Sequence, residues 1–243
     1  MNKKKQLIIA GPCSISSKKE LNETIKNIYS EIDFFRCGIW KARTNANHFK
    51  GIGNKGLKWL SEIEEKYRTP VAIEVGTPKH VEQALYHDLK VFWIGARTTV
   101  NPFYVQEICE SIKGTDVEIW VKNPIHPDIN LWIGAIERLK NTGIKKIKAI
   151  HRGFFCMKEK KYRNSPKWNL IKVIKETFPE LNLICDPSHI SGDKKLIYSI
   201  SKKAISLNFD GLMIETHANP ENALSDAKQQ INCNEFKELM RKI

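Results

Sequence analysis

The strongest constraint on this chain is an alternation. Eight short runs of β-branched and aromatic residues (6–10, 34–40, 71–74, 91–94, 117–121, 145–150, 182–185 and 211–214) alternate with amphipathic stretches at 17–30, 55–67, 79–87, 102–112, 129–140, 166–177 and 194–205, and a last one comes at 220–230. Strict strand–helix alternation implies parallel strands joined by right-handed crossovers. Eight such units in 243 residues fit one closed (β/α)8 barrel of the TIM class, an α/β fold, better than an open doubly wound sheet, the runner-up. Ser16 and Ser17 ahead of Glu20, and Ser165 ahead of Pro166, are expected helix starts. Gly114 and Gly143 fall where helix ends want a left-handed residue.

The residues just past each strand are more telling. In order, the ends read Gly11-Pro12-Cys13-Ser14, Lys41 with Arg43, Glu74, Gly95-Ala96-Arg97-Thr98, Lys122-Asn123, His151-Arg152-Gly153, Asp186-Pro187-Ser188-His189 and Glu215-Thr216-His217. In a barrel these ends converge on one mouth, where barrel enzymes place their chemistry. Helix surfaces would account for one or two such residues, but not for a set in register.

The expected cations at the mouth are Arg36, Lys41, Arg43, Arg97, Lys122 and Arg152. The chain otherwise prefers lysine, and arginine's rigid fork grips phosphate or carboxylate bidentately. So many cations around one pocket repel unless a polyanion joins them. Ion pairing with Glu74, Asp186 and Glu215 is the alternative, but those acids are too few. Cys13, His189, Glu215 and Asp226 form a mixed thiolate, imidazole and carboxylate set. Closed structural zinc sites prefer Cys and His alone. This set suits an open catalytic site for a divalent transition metal, Mn, Fe, Co or Zn, and the ligands do not choose among them.

Composition removes other classes. The net charge of +13 invites a nucleic-acid reading, but the lysines are scattered over helix faces and no nucleic-acid motif is present. There is no GxGxxG and no P-loop. No apolar run is long enough to span a bilayer, and the opening MNKKKQLIIAGPC lacks the apolar length of a signal peptide. The expectation is a cytoplasmic protein with six reduced cysteines, none in CxxC spacing, that meets neither nucleic acid nor membrane.

The segments AGPCS, KARTN, IGARTT, VKNP, HRG, DPSH and IETH…ALSD resemble the 3-deoxy-D-arabino-heptulosonate-7-phosphate (DAHP) synthase family, in its short type I-beta form, over nearly the whole chain. The resemblance implies a barrel that condenses phosphoenolpyruvate with erythrose 4-phosphate, the first step of the shikimate pathway. It implies Cys13, His189, Glu215 and Asp226 as metal ligands. It implies Arg36, Lys41, Arg97, Lys122 and Arg152 around phosphoenolpyruvate, with Glu74 near its reacting end. Lys41, Arg43 and Thr44 would hold the aldose phosphate. The catalytic set would be Lys41, Cys13 and His189, with Lys41 as proton donor. Ala42 and Asn45 depart from the family's usual KPRTS, which bears on substrate affinity rather than on the reaction. A single catalytic domain over 1–243 is expected, without a regulatory or chorismate mutase domain. A homo-oligomer, dimer or tetramer, is expected, and any control would come from a separate regulatory protein.

Three rivals compete with this reading. 3-Deoxy-octulosonate 8-phosphate synthase, on the same barrel, takes arabinose 5-phosphate, but its loop typically reads KANRS against KARTN here. A Schiff-base aldolase using Lys41 would leave Cys13, His189, Glu215 and Asp226 unexplained. A basic nucleic-acid-binding protein would explain the charge but not the strand ends.

Overall fold

Residues 6–243 are described by the computed structural model. The strands are β1 (Leu7–Gly11), β2 (Phe34–Arg36), β3 (Val71–Val75), β4 (Val91–Ile94), β5 (Glu118–Lys122), β6 (Lys146–His151), β7 (Asn182–Cys185) and β8 (Gly211–Glu215). All pair in parallel in sequence order, and β1 closes on β8, so the sheet is a closed barrel. The helices are α1 (Lys18–Ile28), α2 (Lys55–Tyr67), α3 (Pro78–Tyr86), α4 (Ala96–Thr99), α5 (Pro102–Ile112), α6 (Ile129–Asn141), α7 (Trp168–Thr177), α8 (Pro187–Ser191), α9 (Ile197–Ser206) and α10 (Cys233–Lys242).

Period-two alternation divides the core in two. One side chain of each neighbouring pair points into the barrel, where Ile9, Ala72, Val91, Trp93, Trp120, Ile150, Ile184 and Met213 pack together. The other points out against the helices, as Phe92 and Ile94 do on β4, and Ile119 and Val121 on β5. The helices answer with their apolar stripes: Leu21, Ile25 and Ile28 on α1, and Leu57, Leu60 and Ile63 on α2, are buried.

Local signals are met where nothing at the mouth competes with them. Ser17 caps α1, its hydroxyl accepting from Glu20 N at 3.2 Å, while Glu20 Oε2 accepts from Ser16 N at 3.0 Å. Gly114 and Gly143 take left-handed φ of 74° and 82° just past α5 and α6.

Three expected elements differ. The strand read at 34–40 ends at Arg36, because Gly38 must lie against the Cys13 carbonyl, and a Cβ there would collide with it. The helix expected from Pro166 begins at Trp168, because Ser165 is held in an antiparallel bridge to Phe154. The stretch 220–230 is not a helix. It holds two single 3-10 turns, Pro220–Asn222 and Ala227–Gln229, and the regular helix comes after them as α10. Asp226 breaks the run at a left-handed φ of 52°, a conformation that Asp tolerates better than most residues. No helix among the described residues is long and apolar enough to cross a membrane, and all six cysteines are free.

Candidate active site

The strand alternation fills the mouth. The last inward positions of β2, β3, β5 and β8 are Arg36, Glu74, Lys122 and Glu215. On β6 the same alternation turns His151 outward and presents Arg152. His151 sits among Trp132, Phe154, Trp168 and Phe209. Burial there pulls its pKa down to about 3, so it is a neutral core residue and not part of the site. His217, at the end of β8, is also turned away: its Nδ1 accepts from Asn219 N at 2.9 Å. The expectation of a chemical group at every strand end therefore holds for β6 through Arg152 and for β8 through Glu215.

A cavity of about 350 Å³ opens between the strand ends, rimmed by Lys41, Arg43, Glu74, Arg97, Lys122, Arg152, Arg163, Asn164, His189 and Asp226. It adjoins a wider one of about 1080 Å³ under the 41–50 loop. Arg43, Arg97, Arg163 and Asp226 belong to both, and Thr44 and Asn45 belong to the second. Two anion-sized chambers thus share a wall of arginine. A groove of about 560 Å³ on the outer wall, between α9 and α10, contains none of the sequence candidates.

The floor is the cluster of Cys13, Glu215 and Asp226, each offering one donor atom within 4.8 Å of the others; Asp226 lines the cavity itself, and Cys13 and Glu215 are fully buried. Cys13 Sγ is 3.0 Å from Asp226 Oδ2 and 3.2 Å from Lys41 Nζ. His189 stands beside this trio rather than inside it, its Nε2 3.8 Å from Glu215 Oε1. The His189 ring is aimed by Asp186, whose Oδ2 is 2.9 Å from Nδ1 and 2.8 Å from Lys122 Nζ. A carboxylate on one imidazole nitrogen that leaves the other free toward the site is the usual support of a metal-binding histidine.

The electrostatics agree. Burial raises the Cys13 thiol to about 12, with Glu215 adding to the rise, so a cation taking this ligand must displace a proton. Burial lowers His189 below the usual imidazole value against the pull of Asp186, which favours the neutral, ligating form. Burial opposes the charges on Asp186 and Asp226, yet both lie below the ordinary carboxylate value, the first beside the Lys122 ammonium and the second beside the Arg163 guanidinium. Glu215 Oε1 is buried and has the Arg36 guanidinium, 3.1 Å away at Nη2, as its ion-pair partner. A thiol, an imidazole and two carboxylates fit a divalent transition metal.

Not every expected substrate residue lines a cavity. Arg36 is 1% exposed, lies beneath the floor, stacks over Trp93 at 5.1 Å and pairs with Glu215 through Nη2 at 3.1 Å. Burial opposes its charge and Glu215 more than restores it. Lys41 reaches over Cys13, where burial is outweighed by the facing acidic groups, so it stays cationic. Arg43 donates Nε to Phe49 O at 2.7 Å, which fixes the loop that carries Thr44. Gly95 leaves the space that the Glu74 carboxylate fills. Burial brings Arg152 down to about 10, still cationic at neutral pH, and its Nη1 donates to Asn164 Oδ1 at 2.7 Å.

Sequence reasoning missed Arg163, Asn164 and Gln229. Arg163 Nη1 donates to Asp226 Oδ1 at 2.8 Å and to Gln229 Oε1 at 2.6 Å, and Asn164 Nδ2 donates to His189 O at 2.6 Å. One signal could have found Arg163: it is the arginine that ends the lysine tract at 158–161. Gln229 carries none, because glutamine in a polar loop is unremarkable.

A family model described as the DAHP synthetase I family matches residues 2–243. The phospho-2-dehydro-3-deoxyheptonate aldolase of Thermotoga maritima is 32% identical over 239 residues, covering 97% of this chain and 68% of its own. The 2-dehydro-3-deoxyphosphooctonate aldolase of Desulfotalea psychrophila is 27% identical over 262 residues, covering 98% of this chain and 88% of its own. The crystal structure of the Thermotoga maritima phospho-2-dehydro-3-deoxyheptonate aldolase (DAHP synthase) superposes with a TM-score of 0.86 at 30% identity, covering 98% of this chain and 67% of that one. A truncated form of 3-deoxy-D-arabino-heptulosonate 7-phosphate synthase from the same organism gives 0.82 at 27% identity, covering 98% and 84%.

Proposed function

The chain belongs to the DAHP synthetase I family, and from that premise we propose that it condenses phosphoenolpyruvate with erythrose 4-phosphate to DAHP and inorganic phosphate. One observation carries the reading beyond family membership. The donor atoms of Cys13, Glu215 and Asp226 lie within 4.8 Å of one another at a cavity whose rim carries six cations against two acids, Glu74 and Asp226. Two phosphorylated substrates repel each other in water, and such a rim binds both while cancelling their charge.

Arg97, Lys122 and Arg152 take the phosphate and carboxylate of phosphoenolpyruvate in the inner cavity. Arg36 adds fixed positive charge from below. Arg43 and Thr44 take the sugar phosphate in the outer one. Cys13, His189, Glu215 and Asp226 would hold a divalent transition metal, which would supply Lewis-acid polarisation of a carbonyl. The enol carbon of phosphoenolpyruvate attacks the aldehyde carbon of the sugar, forming the new C–C bond. Water adds to the oxocarbenium carbon and gives up a proton to solvent in the cavity that Glu74 also lines, and the hemiketal C–O bond to phosphate then breaks, leaving the ketone and inorganic phosphate. Lys41, cationic and 3.2 Å from Cys13 Sγ, lines the inner cavity and donates the proton that the new alkoxide needs.

The test is an initial-rate screen of phosphoenolpyruvate against four- and five-carbon aldose phosphates, read as phosphate release. Erythrose 4-phosphate should be preferred clearly. Preference for arabinose 5-phosphate would place the chain with its sibling activity, that of 2-dehydro-3-deoxyphosphooctonate aldolases.

A further inference from the structure

Each of the two candidate carboxylates at the floor gives one oxygen to the same pair of residues. Asp226 gives Oδ1 to Arg163 Nη1 at 2.8 Å and turns Oδ2 to Cys13 Sγ. Glu215 gives Oε2 to Gln229 Nε2 at 2.6 Å, while its Oε1 pairs with Arg36 Nη2 at 3.1 Å and lies 3.8 Å from His189 Nε2. Arg163 and Gln229 join through Nη1 and Oε1 at 2.6 Å. The chain of contacts therefore runs Asp226–Arg163–Gln229–Glu215 and closes around the floor.

The amide of Gln229 can sit only one way. Its carbonyl faces a guanidinium, which has only donors, and its amino group faces a carboxylate, which has only acceptors. Gln229 is 1% exposed, so water does not offer it other partners. The segment beneath is fixed independently: Gln230 accepts from Cys13 N at 3.0 Å and donates to Ser225 O at 2.9 Å, and Asp226 is held at its left-handed φ of 52°. Backbone and side chains thus pin the same carboxylate from both ends. Arg163 also lines both cavities, so the clamp ends where the substrates enter.

We propose that Arg163 and Gln229 are positioning residues that fix which single oxygen of Asp226 and of Glu215 faces the metal, making each a one-oxygen ligand. The inference rests on the metal-site reading given under the proposed function. Without the pair, Asp226 is free to rotate and offer both oxygens, Glu215 is held by Arg36 alone, and the geometry and affinity of the site change together.

The experiment uses the full chain, stripped of metal and titrated with Co²⁺, whose thiolate charge-transfer band and visible d–d bands report ligand set and geometry. Gln229→Glu keeps the shape but sets a carboxylate against Glu215, so Co²⁺ affinity should fall by at least about tenfold with an altered d–d envelope. Arg163→Met, at a side chain 42% exposed where folding tolerates the change, should weaken Co²⁺ by about tenfold. Arg163→Lys should recover part of that loss. Arg163→Met combined with Gln229→Met should lose little more than either alone, since both break one chain of contacts. Unchanged affinity and spectra in Arg163→Met and Gln229→Glu, with a wild type that shows the thiolate band, would overturn the clamp alone. A wild type with no thiolate band would overturn the metal-site reading and the clamp with it.

Discussion

The two ends of the barrel use the same residue types to opposite effect. At the N-terminal end, Lys148 and Glu118 point inward and form an ion pair. Trp120 Nε1 donates to the same Glu118 oxygen at 2.7 Å, and the Lys148 ammonium lies over the rings of Phe34 and Trp120 at 5.3 and 5.5 Å. One cation, one anion and two aromatic faces satisfy one another, and that end is closed. At the C-terminal end, Lys41, Arg43, Arg97, Lys122, Arg152 and Arg163 surround a cavity lined by only two acids, Glu74 and Asp226; Lys122 pairs with Asp186 and Arg163 with Asp226, while Lys41, Arg43, Arg97 and Arg152 form no ion pair among the described residues. Charge balanced within the barrel is structural, as at the N-terminal end. Charge left over in a concave site has a ligand as its partner.

That contrast can be broken in several places. The largest effect should come from Cys13→Ala, with turnover falling to background while the barrel stays folded. A chelator should do the same to the wild type, and a divalent transition metal should restore the wild type only. Far-ultraviolet circular dichroism beside a phosphate-release assay reads both properties, and full turnover of metal-free protein would remove the metal from the chemistry of the mouth.

At the other end, Lys148→Met should cost about 1–3 kcal/mol of stability, because Glu118 keeps only Trp120 as partner. It should leave kcat/KM within about twofold, since nothing at the closed end touches substrate. Urea unfolding and initial rates measure the two, and a large loss of kcat/KM without loss of stability would show that the two ends are not independent.

The pH dependence sharpens the comparison through a third region. His151 has a folded pKa near 3, well below the ordinary imidazole value, so between about 6.5 and 3 the unfolded chain binds a proton that the folded one refuses. Its contribution is fully present above about pH 6.5 and is lost as pH falls, by at most about 1.4 kcal/mol per unit. His151→Phe should flatten the fall of stability over this window and leave the pH profile of kcat unshifted. A displaced kcat profile would bring His151 back into the site.

The smallest effect should be that of Arg43→Lys, which keeps the charge but loses the fork that grips a phosphate. KM for erythrose 4-phosphate should rise several-fold, roughly 1 kcal/mol, with kcat nearly unchanged. A fall in kcat at constant KM would move Arg43 from binding to the chemical step.

Much of the barrel is legible in the sequence because it is written in local periodicity. Strand alternation and helix stripes recur eight times, and the cap that the sequence displays at α1 is made. Strand parity also carries information, since it separates Arg152 from His151 one residue away. What the sequence hides is long-range. The run at 220–230 looks helical, yet Asp226 leaves the helix to reach Cys13, which lies more than two hundred residues earlier in the chain. Arg36 reads as a rim cation, but its position on a strand only three residues long puts it under the floor of the cavity against Glu215. Gln229 gains its meaning only from two partners that lie on β8 and in the β6–α7 loop.

The central claim is that the surplus cations at the mouth are a binding charge. It is tested most directly by the thermal unfolding midpoint as phosphoenolpyruvate is added at low ionic strength. A ligand held only by the folded state raises the midpoint with concentration, by about 2.7 kcal/mol of stability at a hundred times its dissociation constant. The wild type and Lys148→Met should show the same rise, while Lys122→Met and Arg152→Met should lose most of it. No rise in the wild type, or a rise that survives in Lys122→Met and Arg152→Met, would contradict the claim.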